Sequence, residues 1–280
     1  MNRLKSAYVS TYITAALVGL ATSLVMVARH GTASPWLGSV LACGAPVAFF
    51  ARVYVRGVAR TSANLPGVLA AGVVGTAISM ALGAGALPSA AVVGAVVGIV
   101  GTLLYVYWYS RFAPAESAVR AGATLPPFVL VEGGCDVASG ALVARAALWI
   151  FYRGNWCPLC VAQVREICAQ YAELARRGVE VYLVSPQPES YAAGLASRCD
   201  APLRFLRDRD NRAAAVLGIV ERHGVPAGMQ LLGYDSDAPR PTVFITAPGG
   251  RVVYCDVTDN YRVRPEPSQY FAVLDRMALA

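Results

Sequence analysis

The sequence predicts two regions of different fold class: an α-helical transmembrane bundle of about four helices, followed by an α/β domain with a mixed central sheet. Two observations support this division. The chain of 280 residues is 56% hydrophobic and only 15% charged, which exceeds the norm for a globular protein. The excess lies before residue 112, whereas the later residues alternate short apolar runs with helical patterns.

Four apolar runs occupy the first region, and each approaches the roughly 20 residues that a helix needs to cross a bilayer. They extend over about Ala7 to Ala28, Trp36 to Val55, Leu65 to Leu82 and Leu87 to Tyr109. Because Arg52 shortens the apolar core of the second run, this span is expected to be the weakest, and three spans are the main alternative. We expect the bundle to anchor the protein in the lipid bilayer. The more specific alternative is that the bundle binds a quinone or relays electrons.

Basic residues are concentrated beside these apolar runs. The net charge is +7, and residues 1–123 carry eight Lys or Arg residues against one acid, while the remaining residues balance. This distribution argues against a phosphate-binding face, so nucleic acid is not an expected partner. Seven of the eight fall on one side of the predicted topology and only Arg29 on the other. The positive-inside rule therefore predicts a multi-pass inner or plasma membrane protein whose α/β domain is cytoplasmic.

The second region is predicted to be a separate domain at 125–280, joined to a transmembrane domain at 1–112 by a linker at 113–124. Strands are predicted at 146–152, 179–185 and 203–206, and helices at 158–176, 189–197 and 211–217. A hairpin formed by 241–246 and 251–257, and a helix from about Pro267, complete the domain. Strands that alternate with helices before a hairpin indicate a mixed sheet.

Residues 151–160 read FYRGNWCPLC, so that Cys157 and Cys160 follow a buried strand and open a helix. Pro158 stands at the first helical position, where its missing N–H costs nothing. The helix dipole and the free backbone N–H groups there are expected to lower the pKa of Cys157. Cys160 lies one turn further on, close enough to attack an oxidised Cys157. The pair therefore predicts thiol redox chemistry. The redox group would be the disulfide that the two cysteines form, and no other cofactor is expected.

Other interpretations of this pair fit the sequence less well. Zinc would need two further ligands, but His223 is the one histidine of the domain and the other cysteines stand singly, so no metal site is predicted. A c-type haem needs His directly after Cys160, and Val161 is there. A purely structural disulfide is disfavoured by the reducing cytoplasm predicted above.

The other five cysteines are expected to be packing residues. If a third thiol takes part in the chemistry, Cys135 and Cys199 are the better candidates. The five are Cys43, Cys135, Cys168, Cys199 and Cys255.

Residues 125–280, taken with these motifs, resemble the thioredoxin fold, and more specifically the peroxiredoxin-like redoxins of the alkyl hydroperoxide reductase and thiol-specific antioxidant superfamily. The segments that carry the resemblance are FYRGNWCPLC, LRDRDNRAAAVLGI, RPTVFITAPGGRVVY and DNYRVRPEP. The resemblance implies a cis-proline at Pro241 facing the active cysteine, followed by Thr242. It also implies a cation near the reactive thiolate, for which Arg240 is the first candidate and Arg153 the second.

One departure from the family pattern concerns the peroxide. A typical peroxiredoxin has Pro seven and Thr three residues before its reactive cysteine, and these offsets from Cys157 hold Ile150 and Gly154. The hydroxyl that orients the peroxide is therefore absent or supplied elsewhere. Trp156 resembles thioredoxin, while the Pro-Leu pair between the cysteines is closer to glutaredoxin. The residues expected to border the substrate are Trp156, Pro158, Pro241 and Thr242.

The first functional hypothesis is a membrane-anchored thiol-disulfide oxidoreductase of peroxiredoxin-like type. Cys157 would attack a peroxide, and Cys160 would resolve the sulfenic acid to a disulfide. Arg240 or Arg153 would stabilise the developing negative charge. A thiol reductant such as thioredoxin or glutathione is the expected electron donor. The alternatives are a thioredoxin-like reductase of protein disulfides and a non-catalytic membrane redox sensor.

Overall fold

The computed structural model describes residues 2–83, 89–114, 116–197, 199 and 201–278. They divide into two units, of which the first comprises Arg3–Arg56 and Thr61–Arg111. The second comprises Gly57–Arg60 and the residues from Phe112 onward. The predicted linker at 113–124 lies within the second unit, where Val119 is 1% exposed and joins the hydrophobic core. The described residues of this segment are therefore part of the second unit.

The first unit consists of apolar helices. They are α1 (Asn2–His30), α2 (Trp36–Arg56), α3 (Pro66–Leu82) and α4 (Ala90–Leu104), and α4 continues into a π-helical turn at Tyr105–Tyr109. Ser89 caps α4, because its hydroxyl accepts a hydrogen bond from Val92 N at 3.3 Å. Leu87, at which the fourth apolar run was predicted to begin, lies outside the described residues.

Three helical segments are long and apolar enough to cross a membrane, by length and composition. They are Arg3–His30, Trp36–Arg56 and Ala90–Tyr109. Helix α3 has 17 residues and falls short of that length. Helix α2 continues past Arg52 to Arg56 and has the lowest hydropathy of the three segments, at 1.5, so the prediction that the second run is the weakest span stays a prediction beside the shorter α3. A fourth span stays a prediction.

Helices α2 and α3 approach each other closely through glycine. A Cβ atom on Gly38 would lie 2.1 Å from Gly75 O, and one on Gly75 would lie 2.5 Å from Gly38 O. No larger residue fits at either position unless the helices separate. In a lipid bilayer, apolar helices gain no hydrophobic driving force by associating, and close backbone contact of this kind is one way in which they pack together.

The second unit is an α/β domain. Its strands are β1 (Val129–Glu132), β2 (Cys135–Ala138), β3 (Ala147–Phe151), β4 (Glu180–Ser185), β5 (Arg204–Arg207), β6 (Val220–Glu221), β7 (Ala238–Pro239), β8 (Thr242–Thr246) and β9 (Val252–Val257). Its helices are α5 (Ser139–Leu142), α6 (Pro158–Arg176), α7 (Glu189–Ala196), α8 (Arg212–Val216) and α9 (Pro267–Ala278), with single 3-10 turns at Arg209–Asn211 and Met229–Leu232.

Seven strands form one mixed sheet in the order β2-β1-β5-β4-β3-β8-β9. Strands β3, β4 and β5 run parallel, and the pairs β3–β8, β8–β9 and β1–β2 are antiparallel. The predicted mixed sheet is thus confirmed. The hairpin of β1 and β2 was missed, although Gly133 and Gly134 supply its turn with φ values of 56° and 82°.

The core of this domain lies around β3, whose five residues are all buried. The Trp149 ring is stacked on Phe244, with ring centroids 5.6 Å apart. Its indole Nε1–H donates to Thr246 Oγ1 at 3.1 Å, so the one polar atom of this buried side chain is satisfied. Strand β3 therefore gives the loop that follows it a rigid starting point.

Candidate active site

The two cysteines of the motif lie where β3 is followed by α6. Cys157 is the N-cap residue of α6, with φ −94° and ψ 109°, and Pro158 takes the first helical position as predicted. The Cys157 carbonyl accepts hydrogen bonds from Cys160 N at 3.0 Å and from Val161 N at 3.1 Å. The first turn of α6 thus brings both sulfurs together at the start of the helix.

Both sulfurs are buried. Cys157 is 2% exposed and Cys160 is fully buried, and each is a free cysteine. A nucleophile in this setting can meet a molecule of a few atoms far more readily than the surface of another protein. Burial also removes water from around the thiolate, so any charge on sulfur depends on the polar groups that face it.

The polar group that meets the two sulfurs was missed by the sequence analysis. Arg264, which is 5% exposed, places its Nη2 3.3 Å from Cys160 Sγ and 3.9 Å from Cys157 Sγ. Its Nη1 donates to Gln163 Oε1 at 2.6 Å, and its Nε donates to Tyr261 O at 3.2 Å. The guanidinium is therefore fixed against the two sulfurs.

The segment DNYRVRPEP contains Arg264, and it was used only as support for the family resemblance. The sequence did offer one signal. Arg264 and Pro265 come before the apolar face of the last helix, and an arginine at such a position can be expected to be buried. Sequence spacing could not show which sulfur the side chain reaches, because 104 residues separate Arg264 from Cys160.

The pKa values of the two thiols move in opposite directions. The hydrogen bond to Cys160 and burial together raise the pKa of Cys157 well above its usual value. The positive charges of Arg264 and Arg153 lower this pKa, but by less. Burial would also raise the pKa of Cys160, but the Cys157 S–H and the Arg264 guanidinium outweigh it and hold that pKa well below its usual value. The prediction of a lowered pKa at Cys157 is therefore wrong, because one proton is shared and the cation lies nearer Cys160.

Arg153 lies beside the pair. Its guanidinium donates to Gly224 O and stacks over the Trp156 ring at 4.8 Å and the Tyr261 ring at 5.3 Å. Its positive charge nevertheless acts on Cys157, because it lowers the pKa of that thiol while other contributions raise it. The structure thus brings two of the predicted site residues, Arg153 and Trp156, together at the dithiol.

Arg240 has a different partner from the one predicted. Its guanidinium forms a buried ion pair with Glu221, with Nε 3.0 Å from Glu221 Oε1, and it lies over the Phe112 ring at 4.8 Å. The carboxylate neutralises the cation at that place. The expected contact between Arg240 and the reactive thiolate is therefore replaced by the contact with Arg264.

Pro241 and Thr242 lie at the edge of the sheet from which the active-site loop departs. In the antiparallel pairing of β8 with β3, Thr242 is opposite Phe151, the last residue of β3. The Thr242 hydroxyl donates to Arg240 O at 3.0 Å, so its hydrogen is already used by the backbone. Both residues are buried. Their predicted contact with substrate stays a prediction.

The loop between β3 and Cys157 is held by Gln187, which is 4% exposed. Its Oε1 accepts from Asn155 N at 2.8 Å, and its Nε2 donates to Tyr152 Oη at 3.0 Å. Asn155 also donates through Nδ2 to Tyr191 O at 3.3 Å, in α7. A buried amide with both ends satisfied therefore fixes the approach of the chain to the cysteines.

Two further cysteines form a disulfide. Cys168 in α6 is bonded to Cys199, with Cα atoms 5.6 Å apart. The prediction that Cys168 is a packing residue is wrong, because the segment after α7 brings Cys199 back against α6. The remaining free cysteines are Cys43, Cys135 and Cys255, besides the two of the motif.

Among residues 2–83, 89–114, 116–197, 199 and 201–278, no group of three or more His, Cys, Asp or Glu side chains could hold a metal ion.

Comparison with known proteins bears on this site. Residues 121–255 match the family model of the AhpC/TSA family. The second unit contains an AhpC/TSA-like domain. The match supports the predicted enzyme class, a thiol-dependent peroxidase or oxidoreductase, on a segment that includes both cysteines of the motif. The helical first unit lies outside the AhpC/TSA-like segment, and no curated protein matches the chain at a significant level.

Solved structures similar to the AhpC/TSA-like domain include AhpC from Enterococcus faecalis, with 16% identity and a TM-score of 0.46, covering 57% of this chain and 92% of that one. Peroxidoxin BcpB from Mycobacterium tuberculosis has 16% identity and a TM-score of 0.46, covering 57% of this chain and 97% of that one. The peroxiredoxin 6 of Arenicola marina has 14% identity and a TM-score of 0.48, covering 57% and 74%. These likenesses are too distant to carry an argument about activity.

Proposed function

We propose that this protein is a membrane-anchored peroxidase that reduces peroxide through the Cys157 and Cys160 dithiol. The observation that carries the proposal is the buried dithiol with Arg264 against it. A buried cation favours the thiolate, which is the nucleophilic form of cysteine. The same guanidinium can stabilise the negative charge that develops on the departing oxygen, in a place from which water is excluded.

The reaction consumes the two thiols and one peroxide. The thiolate sulfur attacks one peroxide oxygen, the O–O bond breaks, and an alcohol or water leaves after it takes up a proton. The second sulfur then attacks the sulfenic acid, a disulfide forms, and water leaves. Two electrons pass from the dithiol to the peroxide. A thiol reductant of thioredoxin or glutathione type is the proposed source of the electrons that restore the dithiol.

The limited access to the site favours a small oxidant. Reduction of a protein disulfide requires an attacking sulfur to meet a sulfur on the surface of another chain, in line and in contact. Cys157 and Cys160 are 2% and 0% exposed, so a partner protein could reach them only after the loop moves. The predicted alternative, a thioredoxin-like reductase of protein disulfides, therefore requires a conformational change that peroxide does not.

The membrane part of the proposal is supported by composition. Three helices have the length and apolarity of membrane spans, and the basic residues cluster on one side of the predicted four-span topology, which requires α3 to cross the membrane as well. We place the AhpC/TSA-like domain in the cytoplasm on that charge asymmetry. The Cys168–Cys199 disulfide is the observation that opposes this side, because such bonds persist mainly in oxidising compartments.

A direct comparison of two substrates tests the proposed activity. The reduced full-length protein in detergent is offered hydrogen peroxide in one reaction and insulin disulfides, followed by turbidity, in another. We expect peroxide to convert Cys157 and Cys160 to a disulfide within seconds, while insulin reduction stays near the rate of free reductant. Rapid insulin reduction with slow peroxide oxidation would replace the peroxidase by the disulfide reductase.

A further inference from the structure

The polar contacts at the dithiol are distributed unequally between the two sulfurs. Arg264 Nη2 donates to both sulfurs, at the shorter distance of 3.3 Å to Cys160 Sγ and at 3.9 Å to Cys157 Sγ. The guanidinium therefore lies 0.6 Å nearer to Cys160 than to Cys157.

The position of the guanidinium is set by the helix that carries Cys160. Gln163, one turn after Cys160 in α6, accepts from Arg264 Nη1 at 2.6 Å, and Gln163 is itself 2% exposed. Gln163 and Cys160 are neighbours on one helix face because they are three residues apart. The amide therefore holds the cation over Cys160, and the distance to Cys157 follows from this arrangement.

Cys157 lies at the longer distance from the guanidinium. Although it is the N-cap of α6, its side chain makes no capping hydrogen bond to the first turn. The free N–H groups that were expected to stabilise a thiolate at Cys157 therefore do not meet its sulfur. Exposure does not separate the two residues either, since both are almost completely buried.

We infer that Cys160, and not Cys157, is the sulfur that attacks the peroxide, and that Cys157 donates the proton and then resolves the product. This assignment rests on the proposed peroxidase function. It reverses the roles that the order of the two residues along the helix suggests.

The assigned roles give a balanced reaction. Cys160 thiolate attacks the peroxide oxygen, the O–O bond breaks, and Cys160 becomes a sulfenic acid. The leaving alkoxide or hydroxide takes the proton of the Cys157 S–H, and the resulting Cys157 thiolate attacks Cys160 sulfur. The S–S bond forms and hydroxide leaves, which takes a proton from solvent. An external dithiol then returns two electrons and two protons, and one of the regenerated thiols, Cys160, loses its proton.

Single substitutions separate the two assignments. The full-length protein in detergent, reduced and freed of reductant, is treated with hydrogen peroxide and dimedone and digested with trypsin. The peptide GNWCPLCVAQVR, residues 154–165, contains both cysteines, and its fragment ions distinguish a dimedone adduct on Cys160 from one on Cys157. Cys135→Ser removes an exposed free thiol outside the site and is the matched control.

We expect Cys157→Ser to give a Cys160–dimedone adduct at a rate within about tenfold of wild-type oxidation, since serine keeps a hydrogen-bond donor beside the thiolate. Cys160→Ser should lose about 100-fold or more of the rate, because the remaining thiol lies farther from the Arg264 guanidinium. An adduct on Cys157 of the Cys160→Ser variant, formed at the wild-type rate, would overturn the assignment.

Wild-type protein gives a second measurement that does not depend on a variant's folding. At short reaction times with high dimedone concentration, the first adduct in the 154–165 peptide should lie on Cys160, and a first adduct on Cys157 contradicts the inference. If the wild-type dithiol reacts no faster than a free thiol, the proposed peroxidase function itself fails. A faster reaction that begins at Cys157 leaves the function standing and refutes only the assignment of roles.

Discussion

Arg264 Nη2 lies 3.3 Å from Cys160 Sγ, inside a part of the domain where both residues are buried. The two residues come from opposite ends of the domain's structure, the first helix after β3 and the segment that precedes α9. A buried guanidinium beside a buried sulfur favours the negatively charged form of that sulfur. The relationship therefore defines both the reactive state of the dithiol and the tests that follow.

The first prediction concerns Arg264→Gln. A hydrogen bond to a charged group contributes about 1.5–3 kcal/mol, so the loss of this cation should slow peroxide oxidation roughly 10- to 100-fold. Arg264→Lys should recover part of the rate, because lysine keeps the charge but not the forked geometry. Arg276→Gln, in the exposed part of α9, makes the same change of charge and should leave the rate unchanged. Oxidation of Arg264→Gln at the wild-type rate would contradict this role.

The pH dependence of the same variant gives the second prediction. Arg264 holds the pKa of Cys160 below its usual value, so wild-type protein keeps its thiolate as the pH falls toward that low pKa. Without the cation the pKa rises, and the pH midpoint of the oxidation rate should move upward. The deficit of Arg264→Gln should thus be largest at low pH and shrink at high pH. A profile that is lowered equally at every pH would indicate a structural role only.

The extent of sequence-based prediction differs between the fold and the site. Strands β3, β4 and β8 are continuous apolar runs that a central sheet position requires, so their place and type were predictable. The hairpin of β1 and β2 was missed because its strands have four residues each and β2 is largely exposed. Short, polar strands carry little periodic signal.

Within the site, the local elements were predictable and the distant partner was not. The position of Cys157 and Pro158 at the start of α6 follows from the sequence alone. The contact of Cys160 with Arg264 depends on how the chain returns to the sheet after β9. The spacing of residues along the sequence does not predict this path. The same is true of Cys168 and Cys199, which are 31 residues apart.

The third prediction concerns the core. Thr246→Val leaves the buried Trp149 indole N–H without its acceptor and should lower the free energy of unfolding by about 1–3 kcal/mol. Trp149→Phe combined with Thr246→Val removes both partners, so its cost should be less than the sum of the single substitutions. Thermal or denaturant unfolding followed by circular dichroism measures both. Additive effects would show that this hydrogen bond contributes nothing.

The fourth prediction concerns Cys168→Ser. Removing a cross-link that closes a loop of this length should destabilise the oxidised protein by about 3–4 kcal/mol. Under strong reductant, wild-type and variant should unfold alike, which is the control. Peroxide oxidation of the dithiol should be unaffected, because Cys168 lies eight residues beyond Cys160 in α6, a rise of about 12 Å. A loss of oxidation rate in Cys168→Ser would show that the second pair takes part in the chemistry.

The fifth prediction concerns the side of the membrane that the domain occupies. Cys135 is exposed, and a membrane-impermeant maleimide applied to intact cells should label it only after lysis if the domain is cytoplasmic. Cys135→Ser provides the background. Labelling before lysis would place the domain outside, and there the Cys168–Cys199 disulfide would be expected to persist.

The central claim is that the buried dithiol is a peroxide-reactive centre, and its most direct test is the second-order rate constant for the oxidation of Cys157 and Cys160 by hydrogen peroxide. The wild-type protein, reduced and in detergent, is mixed with peroxide, quenched with acid at successive times and measured by mass spectrometry. Glutathione at the same pH is the reference. The account predicts a rate constant at least about 100-fold above that of glutathione and a disulfide within the 154–165 peptide. Oxidation at the rate of glutathione, or no such disulfide, would contradict it.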